Sequence, residues 1–489
     1  MYSKKNLILL FSIINILSIN NFILPIKIKP NKPFYYYTTL FYGEEKTPQD
    51  FILDTTSYMI SSPCNLCQTC GYHSNEWYNI TSLENQLLTC DNKKCGELSG
   101  ECENNQCSYK YDYYENAFIK GVFVNEKISF DNNSQELFNI EIGCTLNETN
   151  YIIAQDSDGI MGLNNDKNSF INRLYELKII SKNLFSIFIN QKKYGYLSLG
   201  EICNKFHSSN KIHYMPFSID EEKYYNLQIE SFEINNKKID CKISGIIDST
   251  ASLCSFPNNL FDSIVKEFKE KCTENTCGKL IENRHFGVCA IYKNEEEMLL
   301  KIKNWLSIKI NFENFQFNWI PENYWVNIST EHTFRACLGF EKTEENVIAL
   351  GTTFLSGYDV IFDRERNRIG FVEVNSKEEF DFSSENKLIN SGNKIKDNNK
   401  IQEKKDEKSS NEGQNLSNSY NIEYQFKSEN KGKSLVLFFV KFLVIFIIIC
   451  IIITAIIYSF QKTKIKKKKK KKIRDILSKD KEKNRFIKI

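Results

Sequence analysis

Histidine is scarce in this chain. The five residues His73, His207, His213, His285 and His332 include no pair at metal-ligand spacing. A histidine-based metal centre is therefore not expected, and surface positions are the default for all five. Long amphipathic helices are few, so the body does not read as helical. A basic face is missing as well. The net charge is +3, but the tail beyond Gln461 carries about +12 and leaves about −9 for the rest. That balance argues against a nucleic-acid partner. No crisp small-residue cleavage site follows the first apolar run, and no long prosegment separates that run from the first strand. Activation by prosegment removal is accordingly not expected.

What is present divides the 489 residues into zones. Lys4 and Lys5 precede an apolar run to residue 18, the pattern of a signal peptide, here taken as 1–24. Residues 376–433 are rich in Asn, Ser, Lys and Glu and poor in apolar side chains, as in a flexible stalk. Phe442 to Phe460 carries no charge, suits a bilayer core of roughly 30 Å and marks a transmembrane helix over 435–460. Seven lysines, Lys466 to Lys472, then make 461–489 a basic cytosolic tail and set the body on the lumenal or extracellular side. The expected protein is single-pass, anchored by this one C-terminal helix in a secretory-pathway membrane (ER, Golgi or cell surface).

Sixteen cysteines fit that side of the membrane, where disulfides form. Cys450 falls in the apolar span, which leaves an odd fifteen and so at least one unpaired or intermolecular thiol. Cys64, Cys67, Cys70, Cys90, Cys95, Cys102 and Cys107 cluster in one insert, 64–107, and are disulfide candidates, with a zinc knuckle as the other reading of their spacing. Asn79, Asn132, Asn147, Asn327 and Asn415 head glycosylation sequons.

Between these zones, short apolar runs separated by Gly, Asn and Asp turns argue an all-β body. Phe34–Phe41, Asp50–Leu53, Val122–Phe130, Tyr196–Leu199, Lys242–Ile247, Leu306–Phe312 and Val347–Leu350 read as strands, with helices confined to Asn168–Leu177 and Pro257–Lys271. One pattern occurs twice. An apolar run ends in Asp54-Thr-Thr-Ser57 and another in Asp248-Ser-Thr-Ala251. Each is followed by an apolar-apolar-Gly element, Ile160-Met161-Gly162 and Ala349-Leu350-Gly351. The duplication predicts two similar lobes, 33–216 and 217–375, with a cleft between them and one carboxylate from each. Two such groups about 3 Å apart share a proton, so one can act as general base on a water while the other donates to a carbonyl oxygen. No cofactor or metal is needed.

These residues resemble the pepsin-like aspartic peptidases. YGEEKTPQDFILDTTS (42–57), SDGIMGL (157–163), GIIDSTAS (245–252) and ALGTTFLSGYDVIFDRERNRIGFVEV (349–374) stand in the family's order. The cysteine-rich insert and CSYKYDYYENAFIKG (107–121) are similar to the nepenthesin and plasmepsin V-like branch. The resemblance implies a bilobal acid-protease fold with Asp54 and Asp248 as the catalytic pair and Tyr113 as a lid over substrate. It implies Ser57 as a donor to Asp54, and Thr55 and Ser249 as residues locking the two turns together. Tyr224-Tyr225 matches the paired tyrosines opening the second lobe, and Ser61 stands where pepsin has tryptophan. The implied activity is hydrolysis of peptide bonds in secretory-pathway proteins.

The chain also departs from the family. Glycine is usual third in both catalytic turns, and here Thr56 and Thr250 replace it. A β-branched residue adds bulk beside each carboxylate and disfavours positive φ. Ala251 stands where the family has a hydroxyl. These changes support the alternative reading, a catalytically inactive protein of the same fold that binds peptides or cargo without cutting them. A display scaffold is a third.

Overall fold

In the computed structural model the described residues are 22–374, apart from 29–34, 83–85, 114–115, 191–193, 210 and 331. The expected stalk, transmembrane helix and tail, and residues 1–21, lie outside them. Among the described residues no helix is long and apolar enough to cross a membrane.

The body is built mainly from strands. Tyr36–Tyr42 shows why: its β-branched and aromatic residues alternate buried and half-buried along the strand, the period of a pleated surface with one face on the core. It pairs antiparallel with Thr47–Asp54, which carries the first Asp-containing turn at its end. Thr47–Asp54 then pairs in parallel with Gly159–Gly162, Asp54 opposite Gly162, and Gly159–Gly162 pairs antiparallel with Ile60–Pro63. The second half repeats this arrangement. Lys237–Ile247 runs parallel to Ile348–Leu350, with Ile247 opposite Leu350, and Ile348–Leu350 meets Cys254–Pro257 antiparallel.

The glycines ending the two closing elements are required by close approach. A Cβ on Gly162 would lie 2.2 Å from the carbonyl carbon of Tyr58, and one on Gly351 would lie 2.3 Å from the Leu253 oxygen. Both are backbone atoms that cannot swing away, so any larger residue would push the strand off its turn.

Fourteen strands form one sheet that runs through the first lobe. At one end it takes in Tyr358–Asp363 and Arg368–Glu373 from the end of the body, so the two halves share one sheet. A seven-stranded sheet and a four-stranded sheet, Lys279–Asn283 to Trp325–Asn327, make up the second lobe. Arg364 joins the halves: its guanidinium donates to Asn165 Oδ1, Ser169 Oγ and the Asp166 carbonyl at 2.7–2.9 Å. The second lobe is aromatic at its centre, where Phe256, Trp319, Tyr324 and Phe340 pack together around fully buried rings. Helix Asn258–Lys271 covers it, burying Leu260, Phe261, Ile264, Val265 and Phe268 on one face.

The lower bound of the body needs adjusting here, while the cysteine cluster follows its disulfide reading. The folded body begins earlier than residue 33, because Phe22–Ile28 is a strand of the large sheet, paired with Tyr194–Leu199, and Leu24 and Ile26 are each 1% exposed. Its apolar residues read as the end of a leader because a leader and a buried strand are equally apolar. The cysteine cluster does not form a zinc knuckle: all seven residues are in disulfides, Cys64–Cys144, Cys67–Cys70, Cys90–Cys102 and Cys95–Cys107. Cys272–Cys277 and Cys289–Cys337 staple the second lobe, and Cys203, Cys241 and Cys254 are free.

Candidate active site

The two aspartates meet in a cleft of about 280 Å³ whose walls include Asp54, Tyr113, Tyr151, Ile152, Asp248 and Thr250. Asp54 is 3% exposed and Asp248 half-buried. Asp54 ends, and Asp248 directly follows, a strand held in parallel by the closing element, and the backbone is pinned there: Leu163 N–H donates to the Asp54 carbonyl at 2.7 Å, and Asp248 N–H donates to the Leu350 carbonyl at 3.1 Å.

Four buried hydrogen bonds tie the turns to each other. Thr55 N–H donates to Ser249 Oγ at 3.0 Å, and Ser249 N–H donates to Thr55 Oγ1 at 3.0 Å. The Thr55 hydroxyl donates to the Ile247 carbonyl at 2.8 Å and the Ser249 hydroxyl to the Leu53 carbonyl at 2.6 Å. Each side chain thus satisfies backbone groups of the opposite lobe.

The carboxylates have matching surroundings. Asp54 Oδ1 accepts from Thr56 N–H (2.8 Å), the Thr56 hydroxyl (2.7 Å) and Ser57 N–H (3.2 Å). Asp248 Oδ1 accepts from Thr250 N–H (2.9 Å), the Thr250 hydroxyl (2.7 Å) and Ala251 N–H (3.1 Å). Burial raises the Asp54 pKa above the ordinary carboxylate value, the Asp248 charge raises it further, and the Thr56 and Ser57 donors partly oppose them. Ser57 donates its backbone N–H to Oδ1, and its buried hydroxyl beside Asp54 also favours the charged form.

Tyr113 follows strand Gln106–Asp112 in a hairpin with Phe118–Ser129 and lines the cleft. Its ring packs 4.7 Å from Tyr111, which in turn meets Tyr58 edge-on at 5.5 Å. Burial and the nearby Asp54 charge push the Tyr111 and Tyr113 phenols up, so both stay neutral and can act as donors. Tyr225 is fully buried and donates to the Leu163 carbonyl at 2.8 Å, bracing the first lobe's closing loop from the second lobe.

The comparisons match both halves. Residues 36–201 fit the family described as xylanase inhibitor N-terminal and residues 224–373 the one described as xylanase inhibitor C-terminal. The chain is similar to plasmepsin V of Plasmodium falciparum, 23% identical over 423 residues, covering 69% of this chain and 71% of that one. It is similar to aspartic proteinase-like protein 1 of Arabidopsis thaliana, 24% identical over 365 residues (69% and 66%). It is also similar to aspartic protease 5 of Toxoplasma gondii, 22% identical over 364 residues (69% and 36%). The chain belongs to the pepsin-like aspartic peptidase family.

Several features of this family member were not foreseen. Thr56 and Thr250 incur no left-handed strain, since neither has positive φ, and both hydroxyls turn onto the carboxylates. Two histidines expected at the surface have buried imidazoles. His73 Nε2 lies 3.0 Å from Glu148 Oε2, and His207 Nε2 lies 2.8 Å from Asp359 Oδ2, with both imidazoles 2% exposed. His73 belongs to the cysteine-rich insert, and Glu148 also accepts from Gly71 N–H at 2.9 Å. This pair fastens the insert to the segment leading into Tyr151, Ile152 and Gln155 of the cleft wall. Nearby, Asp158 accepts from Asp50 N–H and from Asn75, joining the insert to the first Asp-bearing strand. No sequence signal marks these pairs, because their members are dozens of residues apart.

Proposed function

We propose that this protein is an aspartic endopeptidase in which Asp54 and Asp248 share one proton. The observation that carries the reading is the pair of duplicated, cross-bonded turns presenting two carboxylates to one cleft. The ionised member takes a proton from a bound water as its oxygen attacks the scissile carbonyl carbon. The protonated member donates to the carbonyl oxygen, giving a tetrahedral diol; the dyad then gives a proton to the scissile nitrogen as the C–N bond breaks and takes one from a diol hydroxyl, releasing acid and amine. The dyad titrates as a unit, and the two roles belong to the pair. Tyr113 closes over the peptide from the hairpin above, a lid that excludes water while the substrate is held.

The six disulfides support a body that folds in an oxidising compartment. The charge-free run before the lysine cluster supports anchoring by a single C-terminal helix, with the cleft facing secreted or lumenal proteins as substrates.

A second reading has its own support. Both matching family models are described as xylanase inhibitor, a name for a protein that binds rather than cuts. A peptide bearing a statine-type hydroxyl, which mimics the tetrahedral state, separates the two readings. Calorimetry on the full-length chain should show tight binding to wild type, weakened at least a hundredfold in Asp54→Asn. Equal, weak binding to both would favour the silent binding protein.

A further inference from the structure

We propose that Thr56 and Thr250 are positioning residues whose hydroxyls, each donating to Oδ1 of its aspartate, stabilise the charged form of both carboxylates. This rests on the reading of the two aspartates as a proton-sharing dyad. The arrangement is the same in both turns: a main-chain N–H and the hydroxyl of the same threonine, then the next residue's N–H, all converge on Oδ1. Three donors converge on one oxygen of each carboxylate. Glycine in place of threonine would supply the N–H alone. The threonine hydroxyl is therefore an added donor to the charged form, present once per carboxylate. In the second turn it also offsets Ala251, which has no hydroxyl to give.

The proton count closes on the pair. One carboxylate accepts the water proton, the protonated carboxyl passes its proton to the carbonyl oxygen, and the dyad remains singly protonated. Each threonine acts through its aspartate, so its signature is a displaced titration. A hydrogen bond to a charged group changes an ionisation constant by roughly tenfold, about one pH unit.

The test uses the full-length chain in detergent with 13C-carboxyl-labelled aspartate, assigned with Asp54→Asn and Asp248→Asn. Wild type, the double variant T56V/T250V and the double variant T56S/T250S are titrated, and the pH profile of peptide cleavage is recorded beside each. Both steps of the dyad should move up by about one pH unit in the valine variant and return in the serine variant, with the limbs of the rate profile following. Unmoved steps in the valine variant, or equal displacement in valine and serine, would overturn the assignment. A wild type that titrates as a coupled pair yet cleaves nothing would sink the peptidase reading alone, because the carboxyl spectra still judge the threonines.

Discussion

Replacing Thr55 with valine tests how the cleft is held together. Valine keeps the shape and removes the hydroxyl, which accepts from Ser249 N–H and donates to the Ile247 carbonyl. Both partners lie in the buried seam between the lobes, so each is left without its hydrogen bond. An orphaned buried group costs about 1–3 kcal/mol, so the pair should cost about 3 kcal/mol. For a body of this size that is a fall of about 4 °C in melting temperature. Ser249→Ala removes the reciprocal bonds, to Thr55 N–H and the Leu53 carbonyl, and should cost a similar amount. Activity should suffer more than stability, because a misplacement of about 1 Å at the reacting groups can cost a hundredfold in rate. The assay is scanning calorimetry with peptide turnover on the same samples. A Thr55→Val protein that melts within 1 °C of wild type and keeps full turnover would refute the idea that these bonds set the dyad.

Asp54→Asn should be more stable than wild type near neutral pH while losing turnover. The folded-state pKa of Asp54 is raised, so ionisation opposes folding, and wild-type stability falls as pH climbs from the ordinary carboxylate range through the raised value. Asparagine keeps the Oδ1 acceptor and avoids that loss. The gain should be visible in melting curves at pH 7 and absent at pH 3; destabilisation at both would contradict it. For His73, burial alone would disfavour the cation, but the Glu148 hydrogen bond and charge outweigh it and hold the pKa above the usual imidazole value. The stabilisation is complete below the unfolded pKa and is lost as pH rises through the raised one. Hydrogen exchange in residues 67–78, corrected for intrinsic rates, should therefore quicken above that pH, and pH-independent protection would refute the latch.

Much of this arrangement was legible in the chain, and the reasons are local. The duplicated Asp turns and the glycines after them are readable because a carboxylate on a tight turn and a backbone approach of about 2 Å each admit few residue types. Strands such as Tyr36–Tyr42 declare themselves by a period of two. Phe22–Ile28 did not, because its burial is decided by a partner strand some 170 residues away. The Cys64–Cys144 link was hidden for the same reason, spanning 80 residues to a cysteine outside the insert. The hydroxyl bonds of Thr56 and Thr250 were not legible, because bulk and φ preference can be judged from residue type, whereas the direction of a hydroxyl depends on the folded turn. Burial of His73 and His207 likewise depends on distant carboxylates.

The central claim is that Asp54 and Asp248 together cut peptide bonds. The most direct measurement is cleavage of a diverse peptide library by the full-length protein from mildly acidic to neutral pH, beside Asp54→Asn and Asp248→Asn. Turnover in wild type that disappears in both variants is the predicted result. A folded, monodisperse wild type that cleaves nothing at any pH, or turnover that survives either substitution, would contradict it.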